Sequence, residues 1–272
     1  NSVEKSIDLS KINFKGFNSW PFIRLSVLHK WLSTIKPNNQ DFLRQSFYEK
    51  LKNFILSIFI YKKNPIKKTN IDIIYFSRSD WFKHKIDGKL FIKWSDSFNY
   101  FFNKKYKIKN IEIGEKFFLD QRLIKLDDIT YLHFKLILQL IKYKLKKFSR
   151  NLIYFQKISS LDNEYEVQEN IYKVFGFKIE INDKLIKLYE LSIFFEKIIK
   201  NYNPKIVFLE CFYYEYAMAI SLACHRQGIK CVDLQHGAPN DYQIMYSRWD
   251  NIPSKGYELI PDTFWMWGKE PK

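Results

Sequence analysis

The chain has 272 residues, of which 46% are hydrophobic and 27% are charged. This composition is typical of a globular protein with a substantial core and excludes a disordered or fibrous chain. No apolar run approaches the length of a transmembrane helix and no apolar leader is visible, so the sequence predicts neither a membrane span nor secretion. The formal net charge of +16 indicates an anionic partner, which could be nucleic acid, a membrane surface or an anionic substrate.

Nucleic acid is the least favoured of these partners. The sequence contains no glycine-rich RNA motif, no zinc-finger spacing and no basic-zipper pattern. No metal site is predicted either, because no cluster of His, Asp or Glu has the spacing of metal ligands. The three cysteines, Cys211, Cys224 and Cys231, match no zinc pattern, and their apolar surroundings predict buried thiols in a reducing compartment.

The N-terminal part of the chain is predicted to be helical after residues 1–18, which show no regular period. Ser19 is a candidate N-cap and Pro21 lies in the first turn of an amphipathic helix that ends near Lys36. A second helix is expected over residues 40–61. Its apolar stripe comprises Phe42, Leu43, Phe47, Leu51, Phe54, Ile55 and Ile58. We favour packing of both helices on a sheet with the lysines in solvent, and the alternative is that they lie on an anionic membrane surface.

The next stretch predicts alternating strands and helices. Residues 70–77 form the first clear strand, and Arg78 and Asp80 follow its carboxyl end. These two side chains either bind the polar groups of a substrate or cap and solvate a loop. The loop to residue 93 contains a turn signal at Asp87 and Gly88, and it is followed by a short helix over 94–103 and a strand over 107–113.

Further helices are predicted over residues 127–148, 163–175 and 184–199. Strands that alternate with helices predict an α/β fold, specifically a Rossmann-like and mostly parallel sheet with helices on both faces. The expected division is an N-terminal helical segment, residues 1–66, that packs on a Rossmann-like domain formed by residues 67–272.

A βαβ unit between Pro204 and Asn240 carries the strongest functional signal. Its strands are predicted over 206–209 and 230–234, and the helix between them, over 213–226, ends before Gly228. In parallel sheets, ligands bind beyond the carboxyl ends of the strands. Glu210 and His236 occupy those two ends.

The chemistry of His236 suits a general base. An imidazole with an ordinary pKa near ~6.5 can take a proton from a sugar hydroxyl at neutral pH. Glu210 could orient the imidazole or bind hydroxyl groups of an acceptor. The alternative is that His236 has a purely structural role. Because His236 lies at a strand end, the functional and the structural interpretation are equally favoured. After His236 the sequence shows no hydrophobic periodicity, which predicts a long loop, and an apolar strand is predicted over 260–268.

Several segments resemble one family. VDLQHG and IPDTFWMWG, together with FKGFNSWPFIR, YFSRSD and DGKLFIKWSD, are similar to the N-terminal half of GT-B glycosyltransferases that build bacterial capsule and lipopolysaccharide. Glycerophosphotransferases share the His-Gly element. The resemblance implies a Rossmann-like acceptor domain, with His236 at the position of the family's catalytic or acceptor-binding histidine.

The function implied by this resemblance is transfer of a sugar from a nucleotide-sugar to a bacterial surface glycan or lipid-linked acceptor. His236 would be the general base and Glu210 would assist it. The expected substrate contacts are Arg78, Asp80, Tyr214, Gln235, Gly237 and Asn240. A cytoplasmic location is expected, with peripheral association at the inner face of the cytoplasmic membrane.

One departure from the family bears on activity. In such enzymes the PDxFxxWG segment leads into a second domain that binds the nucleotide-sugar, whereas this chain ends at Lys272 and contains no GxGxxG or Walker motif. The expectation is therefore an N-terminal acceptor domain that binds no cofactor and is inactive alone. The alternative function is a non-catalytic basic module that binds an anionic glycan or a membrane surface.

Overall fold

The computed structural model describes residues 2–35, 47–63, 65–78, 83–113, 129–153, 161–237 and 243–266. The helices are α1 (Ser2–Ser6), α2 (Trp20–Ile35), α3 (Phe47–Lys63), α4 (Lys93–Phe102), α5 (His133–Ile153), α6 (Glu164–Phe175), α7 (Asn182–Tyr202) and α8 (Glu215–Arg226). The strands are β1 (Asn13–Phe14), β2 (Phe17–Asn18), β3 (Ile73–Ser77), β4 (Lys83–Ile86), β5 (Lys89–Ile92), β6 (Ile108–Glu112), β7 (Ile129–Tyr131), β8 (Ile206–Leu209), β9 (Lys230–Leu234) and β10 (Thr263–Trp265).

A six-stranded sheet forms the centre of the fold, in the order β10-β9-β8-β3-β6-β7. Every neighbouring pair in it is parallel. The first strand of this sheet, β3, lies in the middle, with the next two strands on one side and the last three on the other. This order is that of a Rossmann-like fold, so the predicted fold class is confirmed.

The two faces of the sheet are covered by different helices. On one face Phe98 of α4 packs with Tyr75 and Phe208. On the other face α5, α7 and α8 pack against Phe76 and Leu209. Because both faces are buried, β8 is a continuous apolar run and β3 is apolar up to Ser77. In β3 all five residues are buried.

The N-terminal segment belongs to the main core, although its sequence has no regular period. Elements of two to five residues are too short to show one. Helix α2 begins where predicted, but Ser19 does not cap it with its hydroxyl, which donates to the Ile12 carbonyl at 3.2 Å. Asn18 takes that role, because its Oδ1 accepts from the Trp20 N–H at 3.0 Å.

The predicted loop before α4 is a hairpin formed by β4 and β5. The turn signal was correct, since Asp87 and Gly88 have φ of 51° and 73°. Positive φ at both central residues is what a type I′ hairpin turn requires. The two strands were not predicted, because each has only four residues and the lysines leave little alternation of apolar and polar side chains.

The long helix predicted over 127–148 begins later than expected. Ile129, Thr130 and Tyr131 form strand β7, which pairs with β6 at the edge of the sheet, and α5 starts only at His133. β-branched and aromatic residues favour a strand where they can pack on a sheet. A stretch of three such residues is too short to be distinguished from the start of the apolar helix that follows.

The apolar stripe predicted for the second helix is only partly buried in α3. Phe54 packs against Phe134 of α5, whereas Leu51 and Ile55 are exposed. Phe42 and Leu43 lie outside the described residues. Among the helices that the structure describes, none combines the length and apolar character needed to cross a bilayer.

Candidate functional site at the carboxyl edge of the sheet

The crevice between the carboxyl ends of β3 and β8 is the point at which the strand order reverses. Helix α4, after β3, packs on one face and α8, after β8, packs on the other. Such a reversal leaves an opening where doubly wound sheets bind ligands. Arg78 follows β3 and Glu210 follows β8, and the Arg78 N–H donates across the crevice to Glu210 Oε2 at 3.4 Å.

Glu210 is fully buried beneath this crevice. Its Oε1 accepts a hydrogen bond from the Tyr75 hydroxyl at 3.1 Å. Burial raises the pKa of Glu210 from 4.5 to about 8. The hydrogen bonds from Arg78 and Tyr75 lower this pKa, and the nearby Glu112 and Asp96 raise it. The carboxyl is therefore mostly protonated at neutral pH, and it can donate a hydrogen bond as well as accept one.

Further polar side chains are buried next to α4, among them Glu112, whose charge raises the pKa of Glu210. Ser77 stands in register with Glu112 on the neighbouring strand. The side-chain amides of Asn99 and Asn110 hydrogen-bond each other in both directions, at 2.6 and 2.7 Å. The asparagine pair joins α4 to β6. It was not predicted, because no spacing within either element specifies a contact between the two.

His236 lies just beyond β9 and is partly buried. Its Nε2 is 3.2 Å from the hydroxyl of Tyr213, and its ring packs among Tyr213 and Tyr246 with centroids 5.8 and 6.2 Å away. Burial lowers the pKa of His236, and the backbone of Leu234 partly offsets this. The imidazole is therefore neutral at pH 7. In the tautomer with the proton on Nδ1, Nε2 carries the lone pair and the Tyr213 hydroxyl can donate to it.

Open space lies beside Gly237, the residue that follows His236. A Cβ placed on Gly237 would meet no atom within 4 Å. Gln235 shapes this turn, because its side-chain amide donates to the Gly237 carbonyl at 2.8 Å and its backbone N–H donates to Trp265 at 2.9 Å. Gln235 was predicted to contact substrate. In the structure its side chain stabilises the turn that contains Gly237.

Asp233 and Tyr246 form a second pair next to His236. The Tyr246 hydroxyl donates to Asp233 Oδ2 at 2.6 Å. Burial raises the pKa of Asp233 to about 7, against the lowering effect of hydrogen bonds from Tyr246 and the Phe212 backbone. Neither residue was predicted from the sequence. The available signal was an acidic residue inside the short buried strand that precedes Gln235 and His236.

Glu210 and His236 occupy the same edge but have separate partners. Within the described residues, no hydrogen bond joins them: Glu210 bonds to Tyr75 and Arg78, and His236 contacts Tyr213. The structure therefore does not show Glu210 orienting the imidazole. Asp80 and Asn240, two of the predicted contact residues, lie outside the described residues.

A cavity of about 340 Å³ opens beside Arg78 and Tyr214. The Arg78 guanidinium lies over the Tyr214 ring, 5.3 Å from its centroid. Lys187 also lines the cavity and pairs with Glu215 at 2.6 Å. The opposite wall is apolar and is formed by α5 residues Leu136, Ile137 and Leu140. A largely apolar wall with a few polar anchors is typical of a site for an organic ligand.

The remaining reactive groups offer no further chemistry at this edge. Within the described ranges, no group of three His, Cys, Asp or Glu side chains could hold a metal ion. All three cysteines are free and buried, as predicted. Burial raises the pKa of the Cys211 thiol, so this sulfur stays protonated and is a poor nucleophile.

Comparisons with protein-family models, with curated proteins and with solved structures return no match for this chain. The chemistry of the carboxyl edge therefore rests on its own residues. These are the buried and protonated Glu210, the neutral His236 next to Gly237, and the cavity lined by Arg78 and Lys187.

Proposed function

We propose that this chain is the acceptor-binding part of a glycosyltransferase, in which His236 is the general base. The substrates would be a nucleotide-sugar and a bacterial surface glycan or lipid-linked acceptor. The observation that carries the proposal is the neutral imidazole at the carboxyl end of β9, with open space beside Gly237. The resemblance of VDLQHG and IPDTFWMWG to GT-B transferases supports the same assignment.

The proposed step is a single proton transfer coupled to sugar transfer. His236 Nε2 accepts the proton of an acceptor hydroxyl while that oxygen forms a bond to the anomeric carbon, and the nucleotide leaves with the electrons of the broken bond. Burial lowers the pKa of His236, which keeps the lone pair available at neutral pH. The hydroxyl of Tyr213 holds the ring, and an acceptor hydroxyl would replace it at Nε2.

The aromatic and cationic side chains at this edge suit an acceptor of this kind. Tyr213 and Tyr246 flank His236 and offer flat apolar surfaces to a sugar ring. Arg78 and Lys187 line the neighbouring cavity, where they would bind a carboxylate or phosphate on the acceptor. Glu210 would support the site as a hydrogen-bond donor, because burial keeps its carboxyl protonated at neutral pH.

Replacing His236 with alanine is expected to lower the transfer rate of the intact enzyme by at least ~100-fold, the usual contribution of a general base. The wild-type rate should rise with pH through an apparent pKa below ~6.5, because the base must be deprotonated and burial lowers its pKa. That pH dependence should disappear in the variant. The measurement is initial rate against pH with saturating nucleotide-sugar.

The matched control is His225→Ala, since His225 is an exposed histidine in the last turn of α8. This variant should keep the wild-type rate and pH profile. Normal turnover by His236→Ala would remove His236 from the mechanism. Salt-sensitive binding of an anionic glycan that is unaffected by His236→Ala, without turnover, would favour the non-catalytic module instead.

A further inference from the structure

Helix α3 exposes an apolar stripe to solvent. Tyr48, Leu51, Ile55 and Phe59 are 74, 46, 45 and 61% exposed. Their spacing of three and four residues places them on one side of the helix. A contiguous apolar strip of this kind is unusual on a protein surface and marks a site of interaction. Lys52 and Lys62 are exposed on the same side.

The stripe is not the core face of α3, because that face is already in use. Phe54 and Tyr61 pack against Phe134 of α5, with ring centroids 5.7 and 6.1 Å apart. Ser57 between them is fully buried. The helix is therefore apolar on two sides, and packing on the described part of the chain explains only one of them.

Helix α5, which packs against α3, carries a similar stripe in its second half. Ile141, Leu145 and Phe148 are 45, 63 and 70% exposed at four- and three-residue spacing. Lysines interleave with them, and the 21 residues of α5 include no Asp or Glu. Lys146 and Lys147 pair with Glu190 and Asp183 of α7.

The charge around these stripes is positive and largely uncompensated. Among the described residues, Lys52 and Lys62 of α3 and Lys142 and Lys144 of α5 make no ion pair. Apolar side chains interleaved with unpaired lysines fit a surface that is apolar below and anionic above. The boundary of an anionic bilayer has this character, because acyl chains lie beneath lipid phosphates.

We propose that α3 and the second half of α5 form a docking surface for an anionic phospholipid bilayer. Tyr48, Leu51, Ile55 and Phe59 would enter the boundary between headgroups and acyl chains, and the lysines would contact lipid phosphates. A membrane surface is where a lipid-linked acceptor would lie, but the docking proposal does not depend on the proposed function.

The test is co-sedimentation of the whole chain with vesicles of phosphatidylglycerol and phosphatidylcholine, compared with vesicles of phosphatidylcholine alone. Binding to the anionic vesicles is expected, and it should weaken as salt is raised. The double variant Ile55→Ser/Phe59→Ser should bind about tenfold or more weakly, because two inserted apolar side chains are lost. Both positions are exposed, so the fold should persist, which circular dichroism would verify.

The matched control is Tyr165→Ser on α6, where Tyr165 is 80% exposed but lies outside the docking surface. It should bind vesicles like the wild type. Equal binding by the double variant and the wild type would overturn the proposal. So would a wild-type dimer that the double variant converts to monomer in sedimentation velocity, since the stripe would then be a protein interface.

Vesicle binding also separates this proposal from the assignment of His236. His236→Ala should bind vesicles like the wild type, because the imidazole lies at the carboxyl edge and not on α3 or α5. Vesicle binding with a normal rate in His236→Ala would contradict the catalytic proposal alone. A His236-dependent rate without vesicle binding would contradict the docking proposal alone.

Discussion

Replacing Arg24 with alanine is expected to destabilise the protein by about 3–5 kcal/mol, because the change leaves Glu4 as a buried charge without its partner. Arg24 and Glu4 are 7 and 2% exposed, and Arg24 Nη1 lies 2.8 Å from Glu4 Oε1. The guanidinium also lies 4.0 Å from the centroid of the Trp249 ring. Its Nη2 donates to the carbonyls of Ile244, Ser247 and Arg248 at 2.8, 2.9 and 3.1 Å.

This ion pair joins three parts of the chain. Glu4 lies in α1, Arg24 lies in α2, and the carbonyls belong to the segment that follows His236. Glu4 Oε2 also accepts from the Asp250 N–H at 3.0 Å. Tyr246, which packs beside His236, lies in the same segment. Loss of Arg24 is therefore expected to disturb the candidate site as well as the stability.

Urea unfolding of wild type and variant measures this effect. Lys205→Ala is the control, because the Lys205–Asp72 pair has a similar 2.8 Å separation but an exposed lysine, and it should unfold like the wild type. The double variant Glu4→Leu/Arg24→Met should recover part of the loss, since it removes both buried charges together but leaves the three carbonyls without the Arg24 donor. An Arg24→Ala midpoint equal to that of Lys205→Ala would show that the pair contributes no stability.

The parts of the fold that were predictable from sequence are those with a local signal. Strands β8 and β9 have the predicted bounds, because each is a short apolar run that begins just after Pro204 or Gly228. Strand β7 was missed because three residues carry no period. The position of Arg78 beside Glu210 follows from the parallel topology, which brings consecutive carboxyl ends to one edge.

The contacts that sequence reasoning missed are those between distant residues. Glu4 and Asp250 are 246 residues apart, and no periodicity within either segment specifies their contact. Tyr246 and Asp233 are closer, at 13 residues, but they are joined by a segment without regular spacing. Such pairs are selected by the packing of the whole domain, because a buried polar group must find a partner after the sheet has formed.

Glu210 should make the protein less stable as pH rises, and replacing it with glutamine should remove this loss. The pKa of Glu210 is raised by burial from 4.5 to about 8 in the folded protein. Between these values the unfolded chain has released a proton that the folded chain retains. The stabilisation from this group is fully present below the unfolded pKa and is lost as pH rises through the folded pKa. The loss is on the order of 4 kcal/mol.

Glutamine at position 210 resembles the protonated carboxyl in size and hydrogen bonding, and its oxygen can still accept from Tyr75 or Arg78. At about pH 5 the variant should match the wild type within about 1 kcal/mol, and at about pH 9 it should be clearly more stable. Urea unfolding at a series of pH values measures the difference. Burial also raises the pKa of Asp233, to about 7, so Asp233 should cause a similar but smaller loss of stability as pH rises. The variant Asp233→Asn would measure that loss separately.

A partly exposed carboxylate provides the matched control. Glu196→Gln should cost less than about 1 kcal/mol, because its pair with Arg226 lies near the surface. Parallel profiles for wild type and Glu210→Gln would mean that Glu210 ionises in the ordinary range. It would then be a carboxylate at neutral pH and could act as a second base at the carboxyl edge. Divergence that begins above about pH 5 and is complete near pH 8 would instead leave His236 as the base and Glu210 as a neutral donor.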